Sequence, residues 1–226
     1  MLTIHRGNGP AYDFSRIKPL AGSPLAGGRI AVLGSSVARG EASEGWAVGE
    51  YLAARLGTSL DKEAVSGTTL ADTGPESYVQ RLHRLDPNVR YSLFLCQLST
   101  NDVTKQLPAG LVAPGRDPAD FDTATTLGAL ETILEYALRT WRCPAAVFTG
   151  SRYDSPAYAA LVAQLPALRE KWGVGILDLW NGEAFNDIPD ASRWLYMRDP
   201  IHPTKAGYRD WWGPELERQL LAFLKR

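Results

Sequence analysis

The chain has 226 residues, 45% of them hydrophobic, and its 24 basic and 25 acidic side chains leave a formal charge of −1. That length supports one sizeable core, and so even a charge balance excludes a nucleic-acid groove or a membrane patch recognised by bulk charge. No apolar run approaches the ~20 residues needed to cross a bilayer, the start Met1 to Gly7 lacks a signal-peptide core, and Cys96 and Cys143 lie in or beside apolar runs as buried thiols, so a cytoplasmic protein without a membrane span is expected.

Residues 1–28 mix Gly, Pro and isolated apolar residues without a sustained period, and they are expected to form an arm packed on the body, with room for one short strand. From Arg29 the pattern sharpens. Ile30-Ala31-Val32-Leu33 is a short apolar run closed by Gly34, and Trp46 to Leu56 repeats apolar residues at helical spacing before Gly57. The alternation continues with a strand near 59–65, a helix over 76–85, a buried strand from Tyr91 to Leu98 and a long helix over 121–141. A strand over Ala145 to Thr149, a helix over 156–172, a strand from Val174 to Leu179 and a closing helix over 204–225 complete it. Strands separated by helices imply parallel crossovers, hence a doubly wound α/β sheet of five strands with helices on both faces. Residues 29–226 then form a single body.

Two stretches interrupt the regularity. Gln106 to Asp120 carries three prolines and two glycines, and Asn181 to Arg198 is polar, aromatic and irregular. Long irregular loops in a compact domain are often functional. Open parallel sheets bind ligands beyond the carboxyl ends of their strands, near the point where strand order reverses. Ser36 follows the first strand, Gly67 the second and Asn101 the third, while Asp199 and His202 follow the fifth. In the flavodoxin-like order 2-1-3-4-5 the first three strands are neighbours, so these positions meet at one edge.

A serine hydroxyl is a weak nucleophile until an imidazole takes its proton and a third group holds the imidazole. Of the three histidines, only His202 has an aspartate at close spacing, in Asp199-Pro200-Ile201-His202-Pro203. His5 lies in the arm and His83 in an amphipathic helix. Ser36 sits in a strand-to-helix turn whose amides can hold developing negative charge, with Ser35 and Ser43 as competing candidates. The Ser36 and Gly67 amides and the Asn101 carboxamide are candidate donors to an oxyanion. Taken alone, Ser36, Gly67 and Asn101 read first as ordinary cap or turn residues, and the Asp199–His202 motif reads equally as a capped turn beside a surface histidine; the conjunction reads as a serine hydrolase.

In this order the residues resemble the blocks of the SGNH hydrolases, the GDSL-type esterase and lipase superfamily. Ile30 to Gly40 resembles the first block, Ala64-Val65-Ser66-Gly67-Thr68-Thr69 the second, Leu98-Ser99-Thr100-Asn101-Asp102 the third, and Asp199 to Tyr208 the last. Ser35 stands where the namesake motif has aspartate, and Ser99 where the third block usually has glycine. The resemblance implies a three-layer α/β/α fold, a catalytic triad of Ser36, Asp199 and His202, an oxyanion hole of Ser36, Gly67 and Asn101, and hydrolysis of a small-molecule ester without metal or organic cofactor. Arg39, Arg152, Trp194 and Tyr196 are the candidate substrate contacts. Aromatic and polar residues near the site suit an acetylated sugar or a short acyl chain. A lysophospholipase or thioesterase acting on longer chains, and a non-catalytic ligand-binding module on the same scaffold, stay open as readings.

Overall fold

A strand whose residues are all apolar is stable only when both of its faces are covered. In the computed structural model, which describes residues 6–225, the run Ile30 to Leu33 lies in strand β1 (Arg29–Gly34) and is fully buried. Chain order continues with α1 (Ser36–Arg39), α2 (Val48–Leu56), β2 (Ser59–Ala64), α3 (Tyr78–Arg81), β3 (Leu93–Gln97), α4 (Thr100–Thr104) and α5 (Thr126–Trp141). Then come β4 (Ala145–Phe148), α6 (Pro156–Val162), α7 (Leu165–Trp172), β5 (Gly175–Leu177), α8 (Glu183–Asn186), α9 (Asp190–Tyr196), α10 (Lys205–Gly207) and α11 (Gly213–Leu224).

The five strands pair in the order β2-β1-β3-β4-β5, every pair parallel. Because successive side chains leave a strand on opposite faces, Ala31, Leu33, Phe94, Cys96 and Val147 enter one core, which α3, α5, α6 and α7 cover. Ile30, Val32, Leu93, Leu95 and Phe148 enter the other, beneath α2 and α11. This is the expected three-layer α/β/α architecture. In α5 the residues Leu130, Ile133, Leu134 and Ala137 form a fully buried stripe, each Leu or Ile contributing roughly 1.5–3 kcal/mol of transfer free energy. The edge strand β2 carries Asp61, Lys62 and Glu63, charges that discourage pairing with another chain. Cys96 and Cys143 are both free and buried, and burial pushes the Cys143 thiol up to about 11. No helix among the described residues is long and apolar enough to cross a membrane.

Several elements depart from expectation for local reasons. The single helix expected over 156–172 is two, because Pro166, near the start of α7, has no N–H to give a continuing helix. The closing helix begins as α10, passes through a π-helical segment over Tyr208–Trp212 and becomes α11, with Pro214 at its start. The helix expected to begin at residue 121 begins at Thr126, capped by the Thr125 hydroxyl, and α2 begins at Val48, leaving Trp46 outside. The stretch 181–198, expected to be irregular, holds α8 and α9. Among the described residues of the arm there is no strand, although the sequence left room for a short one; residues 6–16 form three 3-10 turns, and His5 lies outside the described residues.

Arg81 binds the carboxyl ends of β1 and β2 together. Its side chain is wholly buried, with Nε donating to Glu76 O at 2.9 Å, one terminal nitrogen to Glu63 O at 3.0 Å and the other to Gly34 O at 2.8 Å and Thr68 Oγ1 at 2.9 Å. Removing a buried cation from such a set leaves several acceptors without a donor. Arg81→Met is therefore expected to lower stability by about 3 kcal/mol in urea denaturation; an unchanged midpoint would contradict this account.

Candidate functional site

Strand β1 ends at Gly34, and the chain turns at once into α1. The turn is tight because Gly34 has no side chain: a Cβ there would come within 2.3 Å of the Ala38 Cβ and 2.8 Å of Gln97 Oε1. Gln97, the last residue of β3, straps this turn. Its Oε1 accepts from Ser35 N at 3.0 Å and Ala38 N at 2.9 Å, and its Nε2 donates to Ser35 Oγ at 3.1 Å. The strap occupies the Ser35 hydroxyl and leaves Ser36, the first residue of α1, facing the sheet edge. The Ser43 hydroxyl is likewise committed, donating to Trp46 O.

The residue facing Ser36 comes from 166 positions further along: His202 Nε2 lies 2.8 Å from Ser36 Oγ. The other ring nitrogen of His202, Nδ1, lies 2.8 Å from Asp199 Oδ2 and 3.0 Å from Oδ1. Pro200 and Pro203 frame the turn, and Asp199 Oδ1 also accepts the Ile201 and His202 amides, each at 2.8 Å. Burial works to raise the Asp199 pKa, but the two amides and the imidazole outweigh it and hold the carboxyl below its ordinary value. An ionised carboxylate can only accept, so it selects the tautomer with the proton on Nδ1 and leaves Nε2 as an acceptor toward Ser36. The histidine segment is stiffened by the Met197–Pro203 bridge and by Arg198 N donating to His202 O at 2.8 Å. Tyr208, kept protonated by burial, donates to Val37 O at 2.6 Å and fixes this segment to α1.

Gly67 and Asn101 come from the turns after β2 and β3. Gly67 has φ +78°, a conformation that favours glycine. Asn101 Nδ2 donates to Thr68 O at 2.9 Å, and Lys105 Nζ to Gly67 O at 2.8 Å, so α4 holds the Gly67 turn. The N-cap of α4 is Ser99, whose hydroxyl accepts from Asn101 N at 3.1 Å. Asp102 points inward, fully buried, and accepts from Leu70 N, Ala71 N and Thr126 Oγ1 at 2.8–3.1 Å.

The candidate substrate contacts fall in different places. Arg152, Arg193 and Trp194 line a pocket of about 480 Å³ together with Asp154, Asp190 and Asp199. Trp194 is 76% exposed on its wall. A neighbouring cavity of about 520 Å³ shares Arg152 and Arg193 but reaches none of Ser36, Asp199 or His202. Arg39 lies on the other side, bonded to Glu41 and, at 3.3 Å, to Ser66 Oγ beside Gly67. Tyr196 does not line the 480 Å³ pocket; its ring stacks on Trp211 with centroids 5.8 Å apart. His83 packs against Tyr136, away from these residues. A small recess with room for roughly one water-sized group lies among Val37, Thr100 and Ile201, the chain neighbours of Ser36, Asn101 and His202.

Sequence reasoning missed Gln97, Arg81, Asp102 and Tyr208 as parts of this edge. A faint signal existed for Gln97, a polar residue closing an apolar strand run where chemistry collects. Arg81 carried none, since an arginine in a short amphipathic helix reads as a surface residue.

Comparison with known proteins bears on the fold and the family. No curated protein matches the chain. Solved structures share the fold: a protein from Lactobacillus plantarum is 20% identical with a TM-score of 0.71, over 89% of this chain and 98% of that one. A member of the lipolytic protein G-D-S-L family from Veillonella parvula is 14% identical with a TM-score of 0.58, over 88% and 98%. A family two carbohydrate esterase from Cellvibrio japonicus is 17% identical with a TM-score of 0.55, over 88% of this chain and 63% of that one. The family model for GDSL-like lipases and acylhydrolases matches residues 32–209, from within β1 to beyond His202. The chain therefore belongs to the GDSL-like lipase/acylhydrolase family.

Proposed function

We propose that the protein is a serine esterase that hydrolyses short acyl esters of the acetyl type, with acetylated carbohydrates as the substrate class. The observation that carries this reading is the contact chain from Ser36 Oγ to His202 Nε2 at 2.8 Å and from His202 Nδ1 to Asp199 Oδ2 at 2.8 Å. His202 takes the Ser36 proton as the oxygen attacks the ester carbonyl, and Asp199 stabilises the imidazolium as it forms. The Ser36 and Gly67 amides and the Asn101 carboxamide hold the tetrahedral oxygen. Collapse of the intermediate breaks the bond to the alcohol, which leaves with the proton from His202. Water then gives a proton to His202, attacks the acyl-enzyme and releases the acid, and Ser36 recovers its proton.

The small recess beside Val37 and Ile201 suits an acetyl methyl better than a long chain. The larger pocket offers guanidinium donors, carboxylate acceptors and an exposed indole, which together suit a sugar's hydroxyls and its apolar face. The carbohydrate esterase that shares the fold is consistent with this class. In this reading residues 29–226 are the catalytic domain and residues 1–28 an arm, of which the described part, from Arg6, packs on the body, and two free buried thiols fit a reducing compartment such as the cytoplasm.

With p-nitrophenyl acetate as substrate, Ser36→Ala and His202→Ala are each expected to lower kcat by roughly 10⁴-fold or more, with the melting temperature nearly unchanged. Normal turnover in either variant would sink the assignment. Across p-nitrophenyl esters of increasing acyl length, kcat/KM is expected to fall steeply after acetyl. A preference for long chains would favour a lysophospholipase or thioesterase, and absence of any turnover a binding module. The lowered Asp199 pKa makes its bonds stabilising above the ordinary carboxylate range, and this contribution is lost as pH falls through the lowered value. The gap in urea midpoint between the parent and Asp199→Asn should accordingly narrow from neutral pH toward about pH 3. A pH-independent gap would contradict the assignment of charge to Asp199.

A further inference from the structure

Among the described residues of the arm, Asn8 bonds to both of the segments that carry the candidate site. Asn8 closes the first 3-10 turn, Arg6–Asn8, and is half-buried. Its Oδ1 accepts the Lys205 N–H at 2.9 Å, and its Nδ2 donates to Ala42 O at 2.8 Å. Lys205 lies just beyond His202, at the start of α10, where the helix itself offers its amide no acceptor. Ala42 lies in the loop that leaves α1, the element that begins at Ser36. One carboxamide therefore ties the backbone of the serine segment to the backbone of the histidine segment.

The surroundings hold Asn8 in register. Gly7 packs so closely on the histidine segment that a Cβ there would come within 2.1 Å of Leu195 O and 2.4 Å of Thr204 Oγ1. Farther along the arm, Phe14 is buried and packs on Trp46 with ring centroids 5.2 Å apart. The same two segments are also joined by the Lys205–Glu44 ion pair and by Tyr208 donating to Val37 O. The ion pair works through long side chains, and Glu44 is more than half exposed, so it fixes distance weakly. Asn8 is short and makes two backbone bonds at once.

We propose that Asn8 is a positioning residue whose carboxamide, alongside the Tyr208–Val37 bond, sets the separation of Ser36 and His202, an inference that rests on the assignment of those two residues to catalysis. Proton transfer and attack depend steeply on this separation, and a displacement of about 1 Å can cost about 10²-fold in rate. The arm is then part of the catalytic apparatus through geometry alone and touches no reacting atom.

The test compares Asn8→Ala and Asn8→Asp in the full chain with Phe14→Leu, which loosens the arm's apolar seat and leaves both Asn8 bonds in place. Asn8→Ala is expected to lower kcat on p-nitrophenyl acetate roughly 10- to 100-fold with little change in KM, and to slow modification of Ser36 by a serine-reactive phosphonate in step. Asn8→Asp keeps the acceptor for Lys205 and loses the donor to Ala42, so its loss is smaller. Phe14→Leu is expected to lower the melting temperature and keep kcat. A crystal structure of Asn8→Ala should show the Ser36–His202 separation widened beyond hydrogen-bond distance. The proposal is overturned if Asn8→Ala keeps kcat within about twofold of the parent, if Phe14→Leu loses as much kcat as Asn8→Ala, or if the Asn8→Ala crystal retains the short separation. A parent protein that neither turns over esters nor takes the phosphonate on Ser36 overturns the esterase reading instead. The Asn8→Ala crystal still decides whether Asn8 sets the separation.

Discussion

The parallel pairing of β1 with both β2 and β3 is the constraint from which the candidate site follows. Strands that run the same way and lie side by side end at the same edge, so the turns after Gly34, Ala64 and Gln97 are brought together wherever their residues fall in sequence. Such an edge also exposes backbone groups that the ladder no longer satisfies, and buried polar groups need partners. Here the partners are side chains. Gln97 serves the turn after β1, Arg81 joins the ends of β1 and β2, and Asp102 receives the amides of Leu70 and Ala71. The polar residues that complete the fold at this edge are therefore the same ones that hold the Ser36, Gly67 and Asn101 turns in place.

The histidine segment is built differently. It comes from beyond the last strand and has no ladder to align it. Its local shape comes from the Asp199 carboxylate, which accepts two amides of its own turn as well as the imidazole. Its position relative to Ser36 comes from contacts made at a distance, through Tyr208, Lys205 and the arm. This division suits a serine–histidine pair, since the turn can be rigid and preformed while its placement is adjusted by residues that take no part in chemistry.

Much of this was legible in advance. Apolar runs marked β1, β3, β4 and β5, whereas β2 is charged at Asp61, Lys62 and Glu63; the alternation of strands with helices implied cover on both faces, and the two cores agree. The Asp199 to Pro203 motif pointed to a carboxylate–imidazole pair, and the structure places those groups in hydrogen-bond contact. Boundaries were less legible where a proline or a cap acts over a single turn, as at Pro166, Pro214 and Thr125. The 181–198 stretch hid two helices because each is too short for its apolar residues to establish a period. Trp194 and Tyr196, two residues apart on α9, had looked equivalent; one lines a pocket, and the other stacks inward on Trp211.

By itself, the sequence determined the strand–helix alternation, the parallel sheet that it implies, the candidate residues at the strand ends and the family resemblance. These follow from periodicity and short-range spacing, which are local properties of a chain. The motif context and the resemblance had already favoured Ser36 over Ser35 and Ser43; the tertiary structure alone decided the distance at which it meets His202, that a buried arginine and a glutamine organise the edge, and that Asn8 spans the two halves of the candidate site. Each is a contact between residues far apart in sequence, whose geometry depends on how helices pack on the two faces of the sheet, and no local pattern encodes that packing.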